Sequence, residues 1–460
     1  MEHPTRTEVS AASGAAAPGH LMAAEQAAVP AHASVWPWPE PPGGAAAWRA
    51  WGLGVTTYLV AVFHRMSLGV GAIDAEHRFH VGPGVLSAFV AVELGLYAAL
   101  QIPTGAAADR FGPRRMLTAA LVFMAAGELV FALSTVAAVG IAGRALVGLG
   151  DALTFLSVLR LVQNWFPSRR YGLLAALTGL VGGIGQLVST VPLHQSLAHL
   201  HWAPTFVATA VVTGAVAVVM ATCLRDRPVG APVVHDVEPM RHAVRGVMGR
   251  SGTWRGMWVH FMLTGPFVVF TALWGYPFLV RVEHYSASAA SVVLAFVVVT
   301  TIVASPVVGS LISHRPGTRP AIVLVSAGLL LAGWGLVILW GPAPAPPACI
   351  ALLVVATGIA APASVVGFDV AREANRADRG GAATGVVNIG GFTGAVVVDV
   401  LIGVLLGSAA AAGHDPAGYR RTLVLVPAMV VVGLGCFVVT SRRAAHQAPE
   451  ITEVAAARTP

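Results

Sequence analysis

The sequence predicts an all-α membrane protein in which twelve transmembrane helices form two pseudo-symmetric six-helix bundles. Of its 460 residues, 56% are hydrophobic and only 11% are charged, whereas an ordinary soluble domain has about 25% charged residues. Apolar runs of about 20 residues, the length that crosses a hydrocarbon core, occur twelve times. Sequence patterns of the first half also return in the second half. These observations exclude a soluble globular domain.

The apolar runs fall into two groups of six, separated by a polar, Arg-rich segment. In the first half the predicted spans are 50–73, 84–107, 115–136, 138–163, 171–194 and 202–224. In the second half they are 256–280, 288–312, 320–341, 348–371, 381–407 and 421–440. We therefore expect one bundle at 50–224, a cytoplasmic linker at 225–255 and a second bundle at 256–440. An Ala-, Pro- and Gly-rich tail at 1–49 is predicted to be disordered, and a cytoplasmic tail is predicted at 441–460.

The positions of the basic residues, all of which are Arg, predict the orientation of the chain. Loops rich in Lys and Arg stay on the cytoplasmic side of a membrane. The loops after the even-numbered spans hold most of the Arg residues. The loops on the other face and their edges hold only Arg78, Arg281, Arg420 and Arg421. We expect both termini to be cytoplasmic in a multi-pass protein of the plasma or inner membrane. The net charge of +7 is therefore a topological signal and does not indicate nucleic-acid binding.

Two pairs of segments indicate an internal repeat. DRFGPRR at Asp109–Arg115 follows the second span of the first half, and HRPGTRP at His314–Pro320 follows the second span of the second half. The fifth span of each half is rich in Gly, as GLLAALTGLVGGIG in one and GAATGVVNIGGFTG in the other. Two six-helix repeats are typical of transporters, whose substrate site lies near the midplane between the repeats.

The loop after the second span resembles the signature of the major facilitator superfamily. The signature G-x-x-x-D-R-x-G-x-R-R stands here as GAAADRFGPRR, and the matching residues are Gly105, Asp109, Arg110, Gly112, Arg114 and Arg115. The resemblance implies that this loop latches one conformational state, so we assign these residues to gating. Close helix approach at the first Gly and pairing of the charges with helix ends are the expected physical roles.

A second motif of this superfamily, R-x-x-x-G-x-G in the fourth span, appears as RALVGLG from Arg144 to Gly150. The resemblance implies that Arg144 faces the bundle interior and takes part in proton coupling or substrate binding. Asp151 lies seven residues further on, so it shares a helix face with Arg144. We expect Asp151 to serve either coupling or binding, or to form a structural pair.

Span one also resembles the anion:cation symporter branch of the superfamily. That branch has a Tyr followed by an acid-Arg pair in span one and a W-F-P segment after span four. Here these features are Tyr58, His64–Arg65 and NWFPSRRYG, so His64 stands where the branch has an acid. The fifth span has GLVGGIGQLVSTVP in place of the G-x-x-x-G-P-x-x-G-G pattern of drug antiporters, which favours uptake over export.

Arg65 lies in the middle of an apolar span, where a cation needs compensation. Its guanidinium group could hold an anionic substrate, or it could form a structural ion pair, most simply with Glu93 or Glu128. His64 is either a protonatable coupling residue or a packed side chain, because adjacent helical residues point about 100° apart.

Glu93 and Glu128 are acids within apolar spans, where burial disfavours the charged carboxylate. Reversible protonation and structural ion pairing are the two alternatives for them. Gln186, Asn388 and Trp274 are possible cavity residues, with simple packing as the alternative.

Together these features predict a secondary active transporter that works by alternating access and couples uptake of a small organic anion to protons. We expect a monomer without cofactor, driven by a proton gradient and without nucleic-acid partners. No phosphate-binding loop, nucleophile-base pair or metal motif supports an enzyme. An export permease for drugs or metabolites is the main alternative. A membrane sensor that binds a solute without transporting it and a passive channel are further alternatives.

Overall fold

The computed structural model describes residues 43–167, 170–228, 240–340, 344–376, 379–410 and 416–456. These residues form helices without any strand. Within this described part of the chain, twelve helical segments are long and apolar enough to cross a membrane. The predicted fold class, an all-α membrane protein with twelve transmembrane helices, is confirmed.

Several spans consist of two consecutive helices. Spans one to six comprise Ala45–Phe79; Pro83–Phe111; Pro113–Leu133; Ala137–Ala152 with Phe155–Trp165; Tyr171–Val188 with Val191–Leu200; and Trp202–Cys223. Spans seven to twelve comprise Ser251–Val269 with a π-helical turn Phe270–Trp274 and Gly275–Arg281; Ala287–His314; Arg319–Leu339; Pro347–Ala363 with Val366–Glu373; Gly380–Ala410; and Pro416–Thr422 with Leu425–Ala456. A short helix, Met240–Met248, and a 3₁₀ turn, Pro316–Thr318, lie between spans.

The helices extend beyond the predicted spans at both ends of the chain. Span one begins at Ala45, within the predicted tail 1–49, of which residues 1–42 lie outside the described part of the chain. Helix Leu425–Ala456 runs through most of the predicted tail 441–460, and span seven begins at Ser251 within the predicted linker. Hydropathy marks only the apolar part of a helix, so polar or Ala-rich extensions that remain helical escape it.

Spans one and seven meet at equivalent positions of the two repeats. We name the end of the bundles where span one begins the proximal end, and the opposite end the distal end. Met66 contacts Thr271, and Glu76 contacts Arg281, each across a separation of 205 residues. Gly69 lies directly against the backbone of Thr271, at the π-helical turn, and leaves no room for a side chain. This close approach brings the two bundles together in their distal halves.

Spans two and eleven form the other long contact between the bundles. Near the distal end, Gly403 packs against Ser87 and against the backbone of Pro83. Near the membrane centre, Asn388 donates hydrogen bonds to Gln101 Oε1 at 3.2 Å and to Tyr97 Oη at 3.4 Å. The middle of the molecule is therefore lined by spans one, two, seven and eleven.

Candidate functional site

Arg65 on span one is paired with Asp151 on span four. The Arg65 Nε–Asp151 Oδ2 and Nη2–Oδ1 distances are both 2.7 Å, so the pair is bidentate. Arg65 is 4% exposed and Asp151 is fully buried. The break in span four after Ala152 begins immediately beyond this carboxylate, and the backbone oxygen of Asp151 accepts hydrogen bonds from the Thr154 hydroxyl at 2.7 Å and from the Thr154 N–H at 3.0 Å.

The predicted structural partners of Arg65, Glu93 and Glu128, are wrong. Counting residues from the distal ends of the predicted spans, at a rise of about 1.5 Å per residue, places Glu93 and Glu128 nearer to the depth of Arg65 than Asp151. A long guanidinium side chain reaches along the helix axis, however, and it is the rotation of span four that turns Asp151 towards span one.

Arg144 is enclosed by the polar groups of three other spans. Its Nη2 contacts Glu93 Oε2 and also donates to the backbone oxygen of His64 at 3.2 Å. Its Nη1 lies 3.4 Å from Ser67 Oγ and 3.9 Å from Glu128 Oε2. Arg144 is fully buried, so all of its charge is compensated inside the first bundle. The predicted inward orientation of this residue agrees with these contacts.

His64 and Glu128 form the other end of this cluster. His64 Nδ1 lies 3.3 Å from Glu128 Oε1, and His64 Nε2 lies 2.8 Å from the Thr213 hydroxyl on span six. Thr209 Oγ1 lies 3.5 Å from the same Glu128 oxygen. His64 therefore points towards span six while Arg65 points towards span four, as the angle between adjacent helical residues requires.

The cluster contains one more carboxylate than guanidinium groups. Two guanidinium groups, those of Arg65 and Arg144, face three carboxylates, and all five groups are buried. With His64 neutral, the net charge of the cluster is about −1 by this count. An uncompensated buried charge is costly, so one bound proton on a carboxyl or on His64 makes the cluster neutral. We name His64, Arg65, Glu93, Glu128, Arg144 and Asp151 the charge cluster.

Arg65 is the member of the charge cluster that reaches the second bundle. Its Cζ atom lies 4.2 Å from the ring centroid of Tyr97 on span two and 5.3 Å from that of Phe392 on span eleven. The two rings are themselves 4.7 Å apart. Aromatic faces attract a guanidinium group and hold it flat. Arg65 thus lies at the junction of the bundles, beside the hydrogen-bonded Asn388.

Tyr97, Gln101 and Phe392 were not predicted from the sequence. Tyr97 and Gln101 are four residues apart on span two, so they share a face, and that spacing was the available signal. An aromatic ring in an apolar span is otherwise typical of simple packing.

Two predicted cavity residues lie elsewhere. Trp274 is 1% exposed in the π-helical turn, where its Nε1 donates to the backbone oxygen of Asp399 at 3.3 Å. Gln186 is buried on span five, and its Nε2 has no hydrogen-bond partner among the described residues. No hydrogen bond joins either residue to the charge cluster in the described part of the chain, so packing is the simpler role for Trp274.

The predicted gating loop joins span three to the end of span six. The backbone N–H of Arg114 donates to Asp226 Oδ1 at 2.6 Å, and Arg114 Nε donates to the backbone oxygen of Ala221 at 3.1 Å. A carboxylate at a helix N-terminus is favourable. Gly112 has φ +81°, and a β-carbon there would lie 2.9 Å from the Asp226 carboxylate oxygens. Arg110 and Arg115 are exposed, Gly105 lies within helix Pro83–Phe111, and the side chain of Asp109 lies outside the described part of the chain.

The family comparison agrees with this architecture. The family model described as Major Facilitator Superfamily matches residues 54–399 of the chain. The chain belongs to the major facilitator superfamily. Membership and the twelve apolar helices of the described residues indicate a multi-pass membrane protein of a transporter family rather than an enzyme. In the described residues, no group of three or more His, Cys, Asp or Glu could hold a metal ion.

Individual relatives of this superfamily member are distant. The MFS-type transporter ppzB of Metarhizium majus (strain ARSEF 297) is 28% identical over 120 residues. That stretch is 25% of this chain and spans only 26% of the relative.

Two solved structures share the fold. Both are of a bacterial homolog to the human lysosomal transporter Spinster in an inward-facing conformation, one unoccupied and one occupied. The unoccupied structure has a TM-score of 0.65 at 15% identity and covers 87% of this chain and 98% of its own. The occupied structure has a TM-score of 0.67 at 14% identity, with coverages of 86% and 97%.

Proposed function

We propose that this superfamily member couples the uptake of a small organic anion to protons. The observation that carries the proposal is the position of Arg65: a guanidinium group at the junction of the two bundles, neutralised by Asp151 and stacked on Tyr97 and Phe392. A guanidinium group that holds one carboxylate in bidentate geometry can hold a substrate carboxylate in the same way.

Proton coupling follows from the exchange of one carboxylate for another. A substrate anion that takes the place of Asp151 on Arg65 leaves the Asp151 carboxylate buried without its cation. Such a charge is strongly disfavoured unless a proton neutralises it. Each negative charge bound at Arg65 therefore brings one proton into the site, and release of the anion returns Asp151 to Arg65 and expels the proton. The same exchange supports symport because anion and proton enter and leave together.

His64 and Glu128 have a different part in this proposal. Their contact lies on the far side of span one from the bundle junction and carries the excess negative charge of the cluster. A proton resident there keeps Glu93, Glu128 and Arg144 together as a neutral unit while Arg65 and Asp151 exchange partners.

The direction and orientation are also part of the proposal. Arg residues are concentrated in the loops at the proximal end, which favours a cytoplasmic location for that end and for both termini. At the distal end, Arg281 contacts Glu76, and His194 Nε2 lies 3.4 Å from Ser288 Oγ. These contacts between bundles support a state closed to the outside, from which substrate leaves towards the cytoplasm. We propose a monomer, because one chain contains both repeats.

Reconstitution into proteoliposomes tests the function. Uptake of a panel of radiolabelled small carboxylates is measured with and without an inward proton gradient, for the wild type, Arg65→Ala and Arg78→Ala. Arg78 is the matched control, because it donates to the backbone oxygen of Ser134 at the distal end, away from the charge cluster. We expect gradient-driven uptake in the wild type and in Arg78→Ala, and none in Arg65→Ala. Uptake that is the same with and without the gradient, or the same in Arg65→Ala and the wild type, contradicts the proposal. Accumulation driven by the opposite gradient indicates export.

A further inference from the structure

A cleft lies on the membrane-facing side of the first bundle, away from the bundle junction. It has a volume of about 310 Å³ and opens between spans one, five and six in the distal half. Its walls are apolar and include Leu59, Phe63 and Val212. Val212 is 60% exposed and therefore faces lipid at the mouth of the cleft. None of the residues that line the cleft carries a charge.

Three threonines form the polar wall of the cleft. Thr205, Thr209 and Thr213 follow one another at intervals of four residues along span six, so they lie on one helix face. Thr205 is 2% exposed, and its hydroxyl oxygen has no hydrogen-bond partner among the described residues. A buried hydroxyl without a partner costs stability and is satisfied when a ligand supplies one.

The floor of the cleft lies against the negative end of the charge cluster. Thr209 Oγ1 is 3.5 Å from Glu128 Oε1, and Thr213 Oγ1 is 2.8 Å from His64 Nε2. Both threonines line the cleft, so only a single layer of hydroxyl groups separates it from Glu128. A cation in the cleft can supply the positive charge that the cluster otherwise takes from a bound proton, whereas an anion adds to the excess of carboxylates, so the cleft favours a cation over an anion.

We propose that this cleft is a binding site for an amphipathic cation with a primary ammonium head. The ammonium group donates hydrogen bonds to the threonine hydroxyls beside Glu128, and the alkyl chain lies along the apolar walls towards the lipid. A pocket that is mostly apolar with a few convergent polar groups is the usual form of a small-molecule site. The ligand enters from the bilayer and binds within the first bundle alone, so its binding can be measured separately from the transport proposed at Arg65.

The test compares three ligands that share one alkyl chain. Full-length protein in phosphatidylcholine nanodiscs is mixed with dodecylamine, dodecanol or dodecanoic acid at neutral pH, and the thermal unfolding midpoint (Tm) is recorded. A ligand that binds only the folded protein raises Tm by mass action. Ala208→Phe fills the cleft, since Ala208 lines it. Val211→Phe is the matched control, because Val211 lies on the same helix, is 64% exposed and does not line the cleft.

We expect dodecylamine to raise the Tm of the wild type and of Val211→Phe by several degrees more than that of Ala208→Phe. Dodecanol should give a smaller difference and dodecanoic acid none. Glu128→Gln should remove the advantage of the amine over the alcohol, and Thr209→Val should reduce it if Glu128→Gln does not fold. If dodecylamine shifts Tm equally in the wild type and in Ala208→Phe, the ligand acts only through the bilayer, and this result overturns the proposal. If dodecanoic acid raises Tm as much as dodecylamine does, the proposed preference of the cleft for a cation is wrong.

Discussion

Arg65 and Asp151 form a bidentate ion pair between spans one and four, with both nitrogen-oxygen distances at 2.7 Å. The pair is almost completely removed from solvent, yet its guanidinium group faces the second bundle through Phe392. The Arg65–Asp151 pair therefore stabilises the packing of the first bundle and also lies at the surface where the two bundles meet. Stability and transport should therefore depend on it in different ways.

Removing one partner should destabilise the protein, whereas removing both should not. Asp151→Asn leaves Arg65 buried without its anion, and breaking a buried pair in this way costs about 3–5 kcal/mol. The double variant Arg65→Met with Asp151→Leu replaces the pair by apolar groups, which is often neutral or stabilising. We expect the double variant to regain most of the stability but none of the anion uptake. Denaturation in detergent and uptake assays provide the two measurements, and recovery of uptake would contradict the role of Arg65.

The sequence predicts the fold and the residues that belong to the charge cluster. It does not predict which of these residues pair with each other. Apolar runs, Arg-rich loops and the repeated loop motif are local properties of the chain, so the twelve spans follow from them. The six cluster residues stand out because each is polar in an apolar helix. Their pairing depends on the rotation of each helix and on the reach of each side chain. A local sequence pattern determines neither of these, so the pairing of Arg65 with Asp151 is not predicted from the sequence. Phe392 was missed because it comes from the other bundle and has an ordinary packing character.

The contact of Glu76 with Arg281 should hold the distal end closed. It joins the distal ends of spans one and seven, and both side chains are partly exposed. Glu76→Gln should shift the population towards the state open at the distal end, because it removes an interaction present in one state only. The measurement is the rate at which a maleimide added from the outside labels Thr271→Cys, in a background without Cys223, Cys349 and Cys436. We expect a several-fold higher rate in Glu76→Gln.

Exchange of the two charges provides the control for this gate. Glu76→Arg combined with Arg281→Glu restores the attraction and should return labelling to the slow rate, whereas Glu76→Arg alone should label fastest because it places two cations together. Slow labelling in all variants would show that the close approach of Gly69 to Thr271 is sufficient to keep the distal end closed.

Gly112 should tolerate no side chain, because two separate constraints act on it. Its φ of +81° disfavours any other residue, and a β-carbon would lie 2.9 Å from the carboxylate oxygens of Asp226. Gly112→Ala should therefore cost about 1–3 kcal/mol of local stability and loosen the contact of Asp226 with the start of span three.

Gly82→Ala is the matched control: Gly82 precedes span two with φ −89°, and no atom lies within 4 Å of the point that its β-carbon would occupy. Hydrogen exchange of the Arg114 amide, which donates to Asp226, measures the effect directly. Faster exchange in Gly112→Ala but not in Gly82→Ala is expected, since only the first substitution displaces the acceptor of that amide. Unchanged exchange in both variants would mean that the loop accommodates a methyl group without moving Asp226, and the gating motif would then need its Gly for another reason.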